Sequence, residues 1–108
     1  MSNIANDLPA FAEQRLEGVV IGTTGWSDYG SEDIPGYKDQ TKGKVLTWAD
    51  ARPMLDYEYD EGFGGVKCNA IYAWTKDRVI WITQYDGATG FDWMPRNPTD
   101  VMPDMPGG

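Results

Sequence analysis

The chain has 108 residues, carries nine Lys and Arg against seventeen Asp and Glu, and contains no His. A formal net charge of −8 opposes direct binding to nucleic acid and to anionic membranes, because both require Lys and Arg opposite phosphates. The lack of His removes the commonest general base and any Ser–His or Cys–His nucleophile pair. We therefore expect a binding protein with a basic or neutral partner, and not an enzyme.

The cysteine content and the N-terminal residues predict a reducing, cytosolic environment. Cys68 is the single cysteine, so no internal disulfide is available, and residues 1–7 lack the basic start and apolar run of a signal peptide. No stretch approaches the roughly 20 apolar residues that cross a membrane. We expect Cys68 to be a buried apolar residue and not a reactive thiol.

The N-terminal half predicts one short helix and one short strand. A helix is expected over 7–16, where Asp7 supplies the cap, Pro9 an early helical position, and apolar residues recur at helical spacing. The run 17–22 is β-branched and bounded by glycines, which predicts a strand. Residues 23–43 show no period, and a loop of that length is either functional or a wrong assignment.

A second short helix is predicted after a short strand at 44–46. Thr47 is its expected N-cap, with Asp50 three residues later. Pro53 would fall past the first turn and remove a backbone hydrogen bond, so the helix either begins nearer Asp50 or bends. Residues 55–60 then alternate with period two, which fits an extended segment with its acids on one side.

The clearest pattern lies in Cys68–Pro95, which alternates with period two between turn residues and predicts a three-stranded antiparallel meander. A second turn is expected at 86–90, and Pro95 ends the run because it cannot donate a ladder hydrogen bond. If Lys76 and Asp77 form a two-residue turn, the expected cross-strand pairs are Trp74–Val79, Ala73–Ile80, Tyr72–Trp81 and Ile71–Ile82.

The two faces of this meander are both apolar, one aromatic and one aliphatic. An antiparallel sheet with a solvated face normally alternates apolar with polar residues, so we expect both faces to be covered. The chain's own helix and loops would cover one face, and more of the chain or a partner would cover the other, with the rings most simply read as core. If the chain leaves the aromatic face open, a homodimer is the expected remedy. Its contact residues would be Tyr72, Trp74 and Trp81.

Together these elements predict a single α+β domain over 1–95, with an antiparallel meander at about 68–94 and one or two short helices packed on the sheet. The tail 96–108 is rich in Pro and Gly and is expected to be extended.

Two acidic segments that contain aromatic residues are candidate partner-binding sites. Large rings among carboxylates have the composition of a protein interface, although rings that anchor loops to the core would look the same. The charge itself has two interpretations, solubility or a face that fits a basic surface. The candidates are Trp26, Asp28, Tyr29, Glu32 and Asp33 in the first segment, and Asp56, Tyr57, Glu58, Tyr59, Asp60 and Glu61 in the second.

No catalytic residue, cofactor or metal site is expected. The run from Asp56 begins like a calcium-binding loop, with oxygens at its first, third and fifth places. It then has Glu61 at the sixth place, where Gly is required, and Lys67 at the twelfth, where a bidentate Glu belongs.

Four short segments in roughly the last 40 residues resemble the C-terminal half of small uncharacterised proteins from bacteriophages and prophages. They are Ala73-Trp74-Thr75, Gln84-Tyr85-Asp86-Gly87-Ala88-Thr89, Pro95-Arg96-Asn97-Pro98 and Met105-Pro106-Gly107-Gly108. The resemblance implies a phage setting and brings no binding or catalytic residue. Small acidic phage proteins without catalytic motifs are often counter-defence factors, such as anti-CRISPR proteins.

The favoured function is accordingly a non-enzymatic inhibitor in the host cytosol, which occupies a nucleic-acid-binding surface of a basic host protein. One alternative is a small-ligand or nucleotide-binding protein with an aromatic pocket. A second alternative is a structural or assembly protein that uses its apolar sheet face. The aromatic pocket would be lined by Trp26, Tyr29, Trp74 and Trp81.

Overall fold

The computed structural model of the protein describes residues 2–22, 43–59, 62, 68–85 and 88–103. These residues form a five-stranded antiparallel sheet with two short helices, which confirms the predicted single α+β domain. The helices are α1 (Ile4–Ala12) and α2 (Trp48–Ala51), and a 3-10 turn, Arg52–Leu55, continues α2. The strands are β1 (Gly18–Ile21), β2 (Val45–Leu46), β3 (Ile71–Trp74), β4 (Arg78–Tyr85) and β5 (Ala88–Pro95).

The strand order is β2-β1-β3-β4-β5, so the predicted meander forms one side of the sheet and β1 adds to its first strand. Val20 of β1 lies opposite both Tyr72 of β3 and Val45 of β2. All neighbouring strands are antiparallel. This arrangement places β2 and β5 at the two edges of the sheet.

The predicted register of the first hairpin is confirmed. Its pairs Tyr72–Trp81, Ala73–Ile80 and Trp74–Val79 are those that the period of two predicts. The Thr75 N–H donates to the Arg78 carbonyl at 3.0 Å, and the Arg78 N–H donates to the Thr75 hydroxyl at 3.0 Å. These two bonds close the turn around Lys76 and Asp77 without the glycine that two-residue turns favour.

The second predicted turn, 86–90, is too long. β5 begins at Ala88, which lies opposite Tyr85, and Gly90 lies opposite Thr83. Residues 88–90 therefore belong to the strand. Only two residues separate the paired ends, and their Asp-Gly sequence is one that two-residue connections between antiparallel strands favour. The predicted end at Pro95 is confirmed.

Helix α1 begins three residues before the predicted cap. Asn3 is the N-cap, and its side-chain oxygen accepts from the Asn6 N–H at 3.3 Å. Asp7 lies in the first turn and accepts from the Asn3 N–H at 3.1 Å, so the prediction that Asp7 caps the helix is wrong. Pro9 lies inside the helix, which ends where Glu13 adopts a left-handed conformation with φ of 57°.

Helix α2 begins as predicted and changes form at the predicted place. The Thr47 hydroxyl accepts from the Asp50 N–H at 3.2 Å. The α-helical turn then becomes a 3-10 helix at Arg52, and Pro53 occupies its first turn, where a missing N–H costs little. Ala51 and Leu55, four positions apart, are fully buried on one side of this segment.

The hydrophobic core lies between the helices and one face of the sheet, which we call the helix face. On α1, Ile4 and Leu8 are fully buried, and Phe11 stacks against Phe91 of β5 with ring centroids 5.3 Å apart. Buried helix-face residues on the strands are Val19, Ile21, Ile71, Ala73 and Ile80.

Candidate functional site

The opposite face of the sheet carries three of the exposed large apolar side chains of the described residues, Val45, Tyr72 and Met94. Because side chains alternate along a strand, the cross-strand pairs place one row of apolar residues on this second face. We call it the open face, since none of the described helices packs on it. Its members are Val20, Val45, Tyr72, Trp74, Val79, Trp81 and Met94.

The described helices cover the helix face, as expected for one of the two faces. The cover expected on the second face, by more of the chain or by a partner, stays a prediction. Tyr72 is 59% exposed, Val45 72% and Met94 51%. Trp74 and Trp81 are half-buried by their neighbours within the sheet. The period-two pattern shows that both faces are apolar, but it does not show which face the helices cover.

The aromatic rings of the open face are arranged along two central strands. The Tyr72 and Trp74 rings lie edge to face on β3, with centroids 6.3 Å apart. Trp81 lies opposite Tyr72 on β4. The three residues predicted as an oligomer contact therefore lie together on one surface, whereas Val45 and Met94 extend the surface to strands outside the predicted pairs.

Two shallow depressions interrupt the open face. One has a volume of about 270 Å³ and lies between Val20, Tyr72 and Trp81. The other has a volume of about 250 Å³ and lies beside Gly18 and Val45. A Cβ atom at Gly18 would lie 3.2 Å from Val45 Cγ1, so the glycine allows β1 and β2 to approach closely.

An exposed ion pair lies at one end of the open face. Arg96 Nη1 donates to Glu17 Oε1 at 3.4 Å and to the Thr75 carbonyl at 3.1 Å. Both charged side chains are about half exposed, so the pair contributes little to stability and remains accessible to a partner. Arg96 also holds the start of the C-terminal tail, because its N–H donates to the Asp77 carbonyl at 2.9 Å.

The first candidate segment, with Trp26, Asp28, Tyr29, Glu32 and Asp33, lies outside the described residues, as do Asp60 and Glu61 of the second. In the second segment, Asp56 is exposed and accepts from Asn3 Nδ2 at 2.9 Å. Asp56 also lies 3.9 Å from Arg52. Glu58 is exposed. Of the two described acids in this segment, Asp56 is the one that interacts with other side chains of the protein, Asn3 and Arg52.

Tyr59 is buried in the core, and Tyr57 is partly buried against it. Tyr59 is 4% exposed, and its backbone forms a two-bond bridge with Ser2 at 2.9 Å. The prediction that Tyr59 contacts a partner is wrong, because the ring belongs to the core. The Tyr57 hydroxyl hydrogen-bonds to the side chain and the backbone of Asn69. These rings anchor the segment to the core, which is the alternative to a partner-binding role for rings among carboxylates.

Cys68 is fully buried, as predicted. Burial raises the pKa of the Cys68 thiol to about 12, while a hydrogen bond with Tyr59 lowers it in part. The thiol is therefore protonated at neutral pH and is a poor nucleophile. Burial also raises the pKa of the neighbouring Tyr57 hydroxyl.

The described residues contain no group of three or more His, Cys, Asp or Glu side chains that could bind a metal ion. Among the same residues, no helix has the length and hydropathy needed to cross a bilayer.

The open face is shallow at its two depressions and carries Tyr72, Trp74 and Trp81 on its two neighbouring strands β3 and β4. Comparison with known proteins found no matching family model, no matching curated protein and no matching solved structure.

Proposed function

We propose that the protein is a non-enzymatic binding protein that inhibits a basic host protein by covering its nucleic-acid-binding surface with the open face. The observation that carries this proposal is the exposed row Val45, Tyr72 and Met94 around two tryptophans. Monomeric proteins rarely expose a contiguous apolar patch of several hundred Å² unless it binds something.

The charge of the chain supports a basic partner. A protein with a net charge of −8 is attracted to cationic surfaces and repelled by nucleic acid, by anionic lipid and by a second copy of itself. Proteins that bind single strands combine cationic side chains with surfaces that accept flat aromatic bases. An acidic protein with exposed aromatic rings complements such a surface in two ways: its carboxylates attract the cationic side chains, and its rings resemble the flat bases. The phage setting implied by the sequence resemblance and the counter-defence role are parts of the same proposal.

The acids of the first candidate segment are proposed to supply part of this charge. Asp28, Glu32 and Asp33 belong to residues 23–42, which lie outside the described residues. The described residues on either side of this segment lie close together, because the Gly43 N–H donates to the Ile21 carbonyl at 3.0 Å.

A small-ligand pocket is less well supported. The depression next to Tyr72 and Trp81 has about 270 Å³, just under the roughly 300–1,000 Å³ of typical ligand sites. Of the four residues predicted to line an aromatic pocket, Trp81 lines this depression and Trp74 lines the other, so the two do not share a pocket. Trp26 and Tyr29 lie outside the described residues.

The test compares two variants with matched chemistry. Tyr72→Ser with Met94→Ser removes exposed apolar area from the open face, whereas Val101→Ser with Met102→Ser removes it from the tail. Each immobilised protein is incubated with bacterial lysate, and the bound proteins are challenged with single-stranded DNA. We expect a basic protein that the wild type and the tail variant retain, the open-face variant loses, and DNA displaces.

Three outcomes would contradict the proposal. Equal capture by both variants would show that the open face is not the binding surface. Capture through the open face without displacement by DNA would remove the inhibitory mechanism. A wild-type particle of twice the chain's 12.0 kDa in light scattering, reduced to one chain by the open-face substitutions, would identify the face as a homodimer contact and favour an assembly role.

A further inference from the structure

The pairing of β4 with β5 shows which backbone N–H groups of β5 point away from the sheet. The Arg96 N–H donates to the Asp77 carbonyl at 2.9 Å, and Arg78 lies opposite Pro95. In an antiparallel ladder the residues that bond to the neighbouring strand alternate with residues whose backbone groups point away from it. The N–H positions that point outward from β5 are therefore those of Thr89, Phe91, Trp93 and Pro95.

Two of these four outward positions have no free N–H group to offer an added strand. The Trp93 N–H donates to Oδ1 of the adjacent Asp92 at 2.7 Å, a short bond to a carboxylate oxygen. Pro95 has no N–H. An incoming strand would have to displace the Asp92 carboxylate and would still lack a donor at Pro95. The C-terminal half of the edge is thus closed, although β5 is eight residues long.

The other edge of the sheet is protected by its length. β2 comprises Val45 and Leu46 alone, and an edge of two residues gives an added strand few hydrogen bonds. The geometry points to a specific role for Asp92 and Pro95: they oppose the pairing of a sixth strand along the C-terminal half of β5, whether from a second copy of this chain or from an extended peptide. Strand addition is then disfavoured at both edges, and this inference does not depend on the identity of a partner of the open face.

The experiment replaces the blocking groups in a Tyr72→Ser background, which weakens association through the open face. Because Asp92 lies on that face opposite Trp81, slower amide exchange along β5 is the measurement that separates edge pairing from association through the open face. Asp92→Val removes the acceptor and Pro95→Thr restores a donor. Asp92→Asn is the matched control, because it keeps a side-chain oxygen that can accept from the Trp93 N–H. Association is measured by sedimentation velocity over a range of concentrations, and backbone exposure by amide hydrogen exchange.

We expect the Asp92→Val, Pro95→Thr protein to associate at about tenfold lower concentration than the Asp92→Asn protein, the effect of one or two added hydrogen bonds. Exchange at Thr89, Phe91 and Trp93 should slow as that variant associates. If circular dichroism shows that Pro95→Thr disrupts the fold, Asp92→Val alone is compared with Asp92→Asn. Equal association of the Val and Asn proteins, or association without slower exchange along β5, would overturn the inference.

Discussion

Tyr57 and Asn69 exchange two hydrogen bonds: the Tyr57 hydroxyl donates to Asn69 Oδ1 at 2.7 Å and accepts from the Asn69 N–H at 2.8 Å. Asn69 is 1% exposed, and its Nδ2 donates to the Gly22 carbonyl at 2.8 Å. The network joins the segment after α2 to the beginning of β3 and the end of β1. It also satisfies a buried carboxamide, which would otherwise carry a large desolvation cost.

We predict that Tyr57→Phe lowers the free energy of unfolding by about 1–3 kcal/mol, because it leaves the Asn69 Oδ1 and N–H buried without this partner. Tyr72→Phe is the control, since it removes the same hydroxyl from an exposed ring. Urea unfolding of the two variants measures the difference. Equal losses would show that the hydroxyl of Tyr57 makes no special contribution.

Alanine substitutions at adjacent positions of β4 should lower the free energy of unfolding by different amounts, because the two side chains lie on opposite faces of the sheet. Ile80 is fully buried on the helix face, and Ile80→Ala should cost about 2–5 kcal/mol. Trp81 is half-buried on the open face, and Trp81→Ala should cost less than Ile80→Ala despite the larger side chain removed. Thermal and urea unfolding compare the two. A larger loss for Trp81→Ala would mean that its ring is covered in solution.

Arg78 connects three elements of the fold. Its Nη1 donates to the carbonyl of Ala12 at the end of α1 at 3.3 Å, and its guanidinium lies 4.5 Å from the centre of the Trp93 ring. Arg78→Met keeps most of the packing volume but loses both polar contacts, and should cost about 1–2 kcal/mol. Arg52→Met is the control, because its ion pair with Asp56 is exposed and should contribute no more than about 0.5 kcal/mol.

The Cys68 thiol should be unreactive in the folded protein. Its burial and raised pKa keep the thiolate population very small at pH 8. We expect a disulfide reagent such as Ellman's reagent to modify Cys68 at the rate of unfolding or local opening, and urea to accelerate the reaction. Rapid modification of the native protein would contradict the burial.

The same pKa gives a pH dependence of stability. Burial raises the thiol pKa in the folded protein from its ordinary value of 9.0 to about 12, so between these values the unfolded chain has lost a proton that the folded protein still binds. The stabilising contribution is complete below about pH 9 and falls as pH rises toward about 12. Urea unfolding at successive pH values should show this loss, and Cys68→Ala should show a smaller slope over the same range.

The sequence by itself determined the elements that depend on neighbouring residues. The alternation of β3 and β4 predicts their register because a shift by one residue would move Ala73 and Ile80 to the opposite face. The Thr47 cap and the change of helix type near Pro53 are equally local, since each depends on hydrogen bonds within one turn. The apolar character of both sheet faces is likewise visible in the period of two.

The tertiary structure decided which face the helices cover, which strands lie at the edges, and which tyrosines are available to a partner. Asn3 caps helix α1 because contacts distant in sequence hold the start of the helix: Asn3 donates to Asp56, and Ser2 pairs with Tyr59. Tyr57 and Tyr59 alternate with acids like surface residues, yet the first bonds to Asn69 and the second packs in the core. These outcomes depend on contacts between residues tens of positions apart, and a local pattern of side chains carries no information about which distant segment will meet it.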